Sequence, residues 1–287
     1  MKKIKLIIAT LTIIITTGCF KVDTMDDIVI YTSVYPIEYV TSIMYQGHAE
    51  INSIYPDGFN TNSYTLTDKL ISDYSEGDLL IYNGLSDEKI YAAAMINENK
   101  DLKIIDASMG MEYNHDIEEL WLDPSNLLMI AQNVKNGLKE YITNSFLEEE
   151  IEENYEGLKL NVSEIDASLR EVAENADHKN IVVGSDDLLF LSKYGLNVLS
   201  LEDNDNLTDK VIADVEKLID SGEIEYVFIK KFDEETEIIQ NIVKDKSISI
   251  KIINPVSSIT EEERENKEDY VSLMEKNIES LKDELYK

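Results

Sequence analysis

Residues 148–176 read EEEIEENYEGLKLNVSEIDASLREVAENA. Within them Ile151, Tyr155, Leu158, Val162, Ile165, Leu169, Val172 and Ala176 follow one another at alternating intervals of four and three, with glutamates between. That spacing lines one face of an α-helix with apolar side chains and leaves the other face to water. At 1.5 Å per residue such a helix runs roughly 40 Å, long enough to pack along two lobes. The same spacing would suit a coiled coil, but it sits inside an α/β pattern and contains Gly157, which favours packing within the chain.

Apolar, β-branched runs bounded by turn residues lie on both sides of this stripe. They recur at 28–34, 51–55, 79–82 and 102–106, and again at 181–184, 198–201, 226–229 and 248–253. Helix-length segments separate them, which is the rhythm of βαβ units with a parallel sheet. The expected fold is α/β with two lobes, each a four-stranded parallel sheet flanked by helices, joined by one long rigid backbone helix. The boundaries are an N-terminal lobe at 20–147, the linking helix at 148–177 and a C-terminal lobe at 178–287. No Pro/Gly/Ser-rich linker divides the lobes, so their relative motion should be small.

Residues 1–19 carry Lys2, Lys3 and Lys5, an apolar run from Leu6 to Ile15, and then Thr16-Thr17-Gly18-Cys19. This reads as an export signal ending in a lipobox, with Cys19 as the lipid attachment site. The run is about half the roughly 20 residues a membrane-spanning helix needs. Cys19 is the one cysteine in the chain, so no intramolecular disulfide can form. A hydrophobic content of 43% is enough to fill two cores. The formal net charge of −32 argues against nucleic acid as a partner, since phosphate would be repelled. No Gly-x-Ser-x-Gly, phosphate loop, dinucleotide fingerprint or HExxH occurs, and an enzyme is not expected.

Several segments carry a family resemblance. They are Ile30-Tyr31-Thr32-Ser33-Val34-Tyr35-Pro36, Ile54-Tyr55-Pro56-Asp57-Gly58, Glu76-Gly77-Asp78-Leu79-Leu80-Ile81-Tyr82-Asn83-Gly84-Leu85, Trp121-Leu122-Asp123-Pro124 and, near the end, Asp269-Tyr270-Val271-Ser272-Leu273-Met274-Glu275-Lys276-Asn277. In order and spacing they resemble the zinc/manganese-binding lipoproteins that serve bacterial ABC importers, over about residues 28 to 283. The resemblance implies metal bound in the cleft between two lobes, an ABC permease and its ATPase as partners, a monomer, and a lipid anchor at the outer face of the cytoplasmic membrane.

The implied ligand positions have changed chemistry. Asn62 stands where the family's first histidine would fall, and Glu119, two residues before Trp121, stands in place of the second. The third position falls at Asp186 or Asp187, the fourth near Ser257, and His115 is the sole histidine in the loop before Trp121. Zinc prefers nitrogen and sulfur donors. An oxygen-only set suits harder ions such as Mn²⁺, Ca²⁺ or Mg²⁺, so the expected occupant, if the cleft binds an ion, is a divalent cation (Mn²⁺, Zn²⁺ or Ca²⁺) with the hard ions preferred and high-affinity zinc binding lost. Facing carboxylates need a cation between them, and a protein ammonium would also serve: Lys230 and Lys231 follow a strand that could carry them to the cleft. His48 and His178 read as solvated surface residues. The alternative function is a degenerate paralogue with a vestigial cleft, used for surface adhesion or sensing.

Overall fold

The computed structural model describes residues 25–59, 63–246 and 248–286. The export signal, Cys19 and Asn62 lie outside the described residues. The chain builds two four-stranded parallel sheets. The first comprises β1 (Ile28–Thr32), β2 (Ala49–Ser53), β3 (Leu79–Tyr82) and β4 (Lys103–Asp106), ordered β2-β1-β3-β4. The second comprises β5 (Asn180–Val183), β6 (Asn197–Ser200), β7 (Tyr226–Lys230) and β8 (Ser249–Ile253), ordered β6-β5-β7-β8. The α/β fold with two such sheets is the one expected from the sequence.

Boundaries differ where polar side chains intervene. β2 begins and ends two residues before the run at 51–55, pairing Ile28 with Ala49 through Thr32 with Ser53. The Ser53 hydroxyl ends it by accepting the Tyr55 N–H at 3.0 Å and donating to the Ser33 carbonyl at 3.0 Å. Helices α1 (Tyr35–Tyr45), α2 (Asp68–Ser75) and α3 (Glu88–Glu98) join the strands of the first sheet, and a short α4 (Glu119–Leu122) leads into α5 (Pro124–Tyr141). Asp123 caps α5 through the Ser125 N–H at 2.8 Å, with Pro124 at the first helical position, where its missing N–H costs nothing.

The long helix α6 spans Ser145–Asn175, three residues earlier than the stripe suggests, because the Asn144 side chain caps it by accepting from Phe146 N at 3.0 Å. Ala176 falls just past its end, and Ala173 is buried in its stead. Its apolar face packs on α1 and α5 of the first lobe and on α10 (Tyr270–Leu285) of the second. The sequence suggests a separate core for each lobe. The structure instead has one core running unbroken from the first sheet through α5, α6 and α10 into the second lobe, with a smaller core beneath α7 (Asp209–Asp220) and α8 (Glu237–Lys246). The shared core arises because one face of α6 serves both lobes. Close packing on β4 requires Gly137, where a Cβ would meet Ile105 at 2.7 Å. Among the described residues no helix is long and apolar enough to cross a membrane.

Candidate functional site

In each sheet the chain switches direction beside the first strand, between β1 and β3 and between β5 and β7. Loops leaving the carboxyl ends at such a switch point diverge and open a crevice, the usual ligand position of open α/β sheets. Here loops from the two lobes meet. The Trp121 indole N–H donates to the Pro255 carbonyl at 2.9 Å, Tyr35 N to the Ser257 carbonyl at 3.0 Å and Gly58 N to the Ile259 carbonyl at 2.7 Å. Arg264, on the short α9 (Glu261–Glu265), reaches back to Glu38 at 2.7 Å and grips Asp57 through two hydrogen bonds at 2.6 and 2.9 Å. The lobes are thus stitched at several points.

The centre of the junction is an ion-paired triad. Lys230, the last residue of β7, extends its ammonium to Glu118 Oε2 at 2.8 Å and to Asp187 Oδ2, with Asp233 at 3.7 Å. Glu118 comes from the first lobe, Asp187 and Lys230 from the second. Asp187 also accepts the Glu118 backbone N–H at 3.2 Å and the Ser185 hydroxyl at 2.7 Å. The three side chains are only 5% (Glu118), 0% (Asp187) and 8% (Lys230) exposed, so water screens them little. Burial pushes Glu118 up to about 7 against the pull of Lys230, and Asp187 adds to the rise. Burial also works against the Lys230 ammonium, but Glu118 and Asp187 outweigh it and hold the group above the ordinary lysine value. Burial and the Asp187 charge likewise raise Asp116. Negative charge therefore exceeds positive around this one ammonium.

The expected ligand residues are dispersed. Glu119 is buried, but its carboxylate turns to the loop before it, accepting from Asn114 N at 3.3 Å, Asn114 Nδ2 at 3.4 Å and His115 N at 3.1 Å. The adjacent Glu118 reaches across the junction. Asp187 occupies the junction centre, whereas Asp186 accepts from Asn204 Nδ2 at 3.0 Å and lines a neighbouring hollow with His115, Glu202 and Asn204. Ser257 lines a third crevice, with Tyr35, Glu38, Asp57 and Arg264. Lys231 points away to Glu263 at 2.9 Å. Among the described residues no three His, Cys, Asp or Glu side chains are grouped so as to hold a metal ion. Glu118 and Asp187 would suit a divalent ion by charge, but the point between them is taken by an ammonium. As arranged, this donor set does not fit a metal.

Two histidines correct the sequence reading. His48 is not free in solvent, since it lies 3.0 Å from Asp26 and 3.2 Å from Glu150. Burial opposes its charge, yet the two carboxylates raise its pKa. His178 is largely buried and donates from Nε2 to the Glu284 carbonyl at 2.9 Å.

A second buried carboxyl lies near the cleft. Glu88 accepts from Asn83 N at 2.8 Å and borders a cavity of ≈ 270 Å³ walled by Tyr55, Tyr64, Tyr91 and Trp121. Burial pushes it from its ordinary 4.5 up to about 7, against the hydrogen bonds it accepts from the Asn83 N–H and the Tyr55 hydroxyl. The folded chain therefore holds this proton more tightly than the unfolded chain. The stability it contributes is fully present below about 4.5 and is lost as pH rises through about 7. Glu88→Gln is expected to shrink the fall in unfolding free energy across that window. An unchanged slope in urea titrations at stepped pH would contradict the assignment.

The family model described as "ZnuA: Zinc-uptake complex component A periplasmic" matches residues 30–284. The zinc-binding lipoprotein AdcA of Streptococcus pneumoniae (strain R6) is 22% identical, over 98% of this chain and 61% of its own length, so the chain spans about three fifths of that relative. The high-affinity zinc uptake system protein ZnuA of Bacillus subtilis is 20% identical, over 91% of this chain and 88% of its own. The Zn(II)-bound ZnuA-like domain of Streptococcus pneumoniae AdcA superimposes with a TM-score of 0.73 at 20% identity, over 91% of this chain and all of that one. The Cd-bound periplasmic metal-binding protein from Candidatus Liberibacter asiaticus gives 0.73 at 17%, with the same coverage. These likenesses agree with the architecture described above, and the match over residues 30–284 settles the relationship: the chain belongs to the family of zinc-uptake complex component A proteins.

Proposed function

We propose that the protein is the extracytoplasmic binding component of a metal-ion ABC importer, a monomer that presents a divalent cation to a permease and its ATPase from a lipid anchor on Cys19 at the outer face of the membrane. The observation that carries this reading is the convergence of carboxylates from both lobes, Glu118 and Asp187, on one point of the lobe junction in a chain that belongs to the zinc-uptake family. AdcA and ZnuA are named for zinc. This cleft offers oxygen donors, which favour a hard ion such as Mn²⁺ or Ca²⁺, since losing imidazole weakens zinc more. Asp187 and Glu118, once free of the Lys230 ammonium, are the ligands we assign, and Glu119, Asp186, Ser257 and His115 are outer positions.

Equilibrium dialysis of the mature chain against Mn²⁺, Ca²⁺ and Zn²⁺ tests the preference. Retention of manganese or calcium above zinc is expected, and tight retention of zinc alone would overturn it. For the anchor, Cys19→Ala is expected to move the protein from the membrane fraction to the medium, and an unchanged fractionation would remove the lipobox reading. The Lys230 ammonium favours a second reading, a surface adhesion or sensing protein whose cleft no longer takes ions. Adjacent permease and ATPase genes would speak for transport, and their absence for the second reading.

A further inference from the structure

The geometry points to a second ligand site, in the first lobe: the cavity beside Glu88 binds a small organic ammonium between one buried carboxylate and a wall of aromatic rings. This site stands apart from the triad of Glu118, Lys230 and Asp187, and it does not depend on the carrier reading.

Three observations carry it. First, the cavity lies where ligands of open α/β sheets lodge, outside the carboxyl ends of the strands at the switch point. Val34 follows β1, Tyr55 follows β2, and Asn83 and Glu88 follow β3, and all four line it. Its volume of ≈ 270 Å³ falls below the roughly 300–1,000 Å³ of pockets for drug-sized molecules, so the ligand is small. Second, the lining carries charge of one sign. Among the described residues that border the cavity, the charged side chains are Glu88 and the exposed Asp87, with no lysine, arginine or histidine. Glu88 is only 5% exposed, and its carboxylate accepts from the Asn83 N–H at 2.8 Å and from the Tyr55 hydroxyl at 3.5 Å, which leaves acceptor capacity free. A buried carboxylate is costly without a cationic partner, and an anionic ligand would add to that cost. Third, the walls are aromatic and fixed. Tyr64 meets Tyr55 edge to face at 5.8 Å between ring centres and Phe59 at 4.6 Å, and the Tyr91 hydroxyl accepts the Leu66 N–H at 3.4 Å. Ring faces attract an ammonium and disfavour a carboxylate. A metal ion does not suit this lining, since among the described residues no three ligating side chains are grouped.

Trp121, the one tryptophan of the chain, lines the cavity, so its emission reports occupancy. Titration of the full mature chain with n-butylammonium chloride at constant ionic strength is expected to change that emission saturably. The neutral n-butanol and the anionic sodium butyrate, at the same concentrations, are expected to leave it unchanged. Glu88→Gln keeps the shape of the side chain and removes its charge. It is expected to weaken butylammonium binding by about 10- to 100-fold, the range of a hydrogen bond to a charged group. Tyr64→Leu, at a half-buried position, gives a second variant should the glutamine protein fold poorly, with an expected loss of about 2- to 30-fold, the range of a cation–π contact.

A response to n-butanol as large as that to butylammonium would mean an apolar cavity indifferent to charge and would overturn the proposal. So would butylammonium binding that Glu88→Gln, or Tyr64→Leu where the glutamine protein is unfolded, leaves unchanged. No saturable response of the native protein to millimolar butylammonium would overturn it as well. The retention of Mn²⁺ or Zn²⁺ by the protein is independent of all three results.

Discussion

Lys230→Met is expected to destabilise the metal-free protein by about 3–5 kcal/mol, the usual cost of removing one partner of a buried ion pair. The cost arises because Glu118 and Asp187, 5% and 0% exposed, are left facing each other across the lobe junction without a cation. Part of it will be relieved by proton uptake at Glu118, already pushed up to about 7 by burial. Lys230→Met combined with Glu118→Gln and Asp187→Asn should recover most of the loss, since a neutral set of similar shape needs no counter-charge. Urea unfolding measures both. A single variant within about 1 kcal/mol of native, the range of an exposed ion pair, would mean that the triad is far better hydrated than its burial indicates.

Tyr270→Ala should cost a similar amount, about 3–5 kcal/mol, through the cavity left by a large aromatic side chain. Tyr270 is fully buried on α10, stacks on Tyr39 of the first lobe at 5.5 Å between ring centres, and donates its hydroxyl to the Trp121 carbonyl at 2.6 Å. Tyr270→Phe keeps the stack and loses the hydrogen bond, for an expected cost of about 1 kcal/mol. Trp121 is the one tryptophan in the chain, and its emission reports directly on this junction. Native-like emission and stability in the alanine variant would show that the lobes do not depend on this contact.

The fold was legible in the sequence because it rests on one helical period and on the regular succession of apolar runs along the chain. The 4/3 stripe of α6 has a helical period, and the eight apolar runs are marked by their length, β-branched content and bounding turn residues, signals that survive substitution of individual residues. The site was legible only in outline. That two acids would need a cation, and that Lys230 or Lys231 stood ready to supply one, follows from charge and chain order. Which lysine turns inward does not, because β7 is buried on both faces and lacks the polar alternation that would mark one side. The choice between Glu118 and Glu119 was equally hidden. It turns on the loop at 114–115, whose N–H groups claim the Glu119 carboxylate before it can reach the second lobe. His48 and His178 were misread for the same reason, since their partners Glu150 and Glu284 lie more than a hundred residues away.

The central claim is that an ammonium set among oxygen donors occupies the lobe junction of this chain, where we propose that it leaves no high-affinity zinc site. Calorimetric titration of zinc into the metal-free native chain tests it most directly. The expected result is zinc binding no tighter than micromolar, on the order of −8 kcal/mol or weaker. Nanomolar zinc binding that persists in Glu118→Ala and in Asp187→Asn would contradict it.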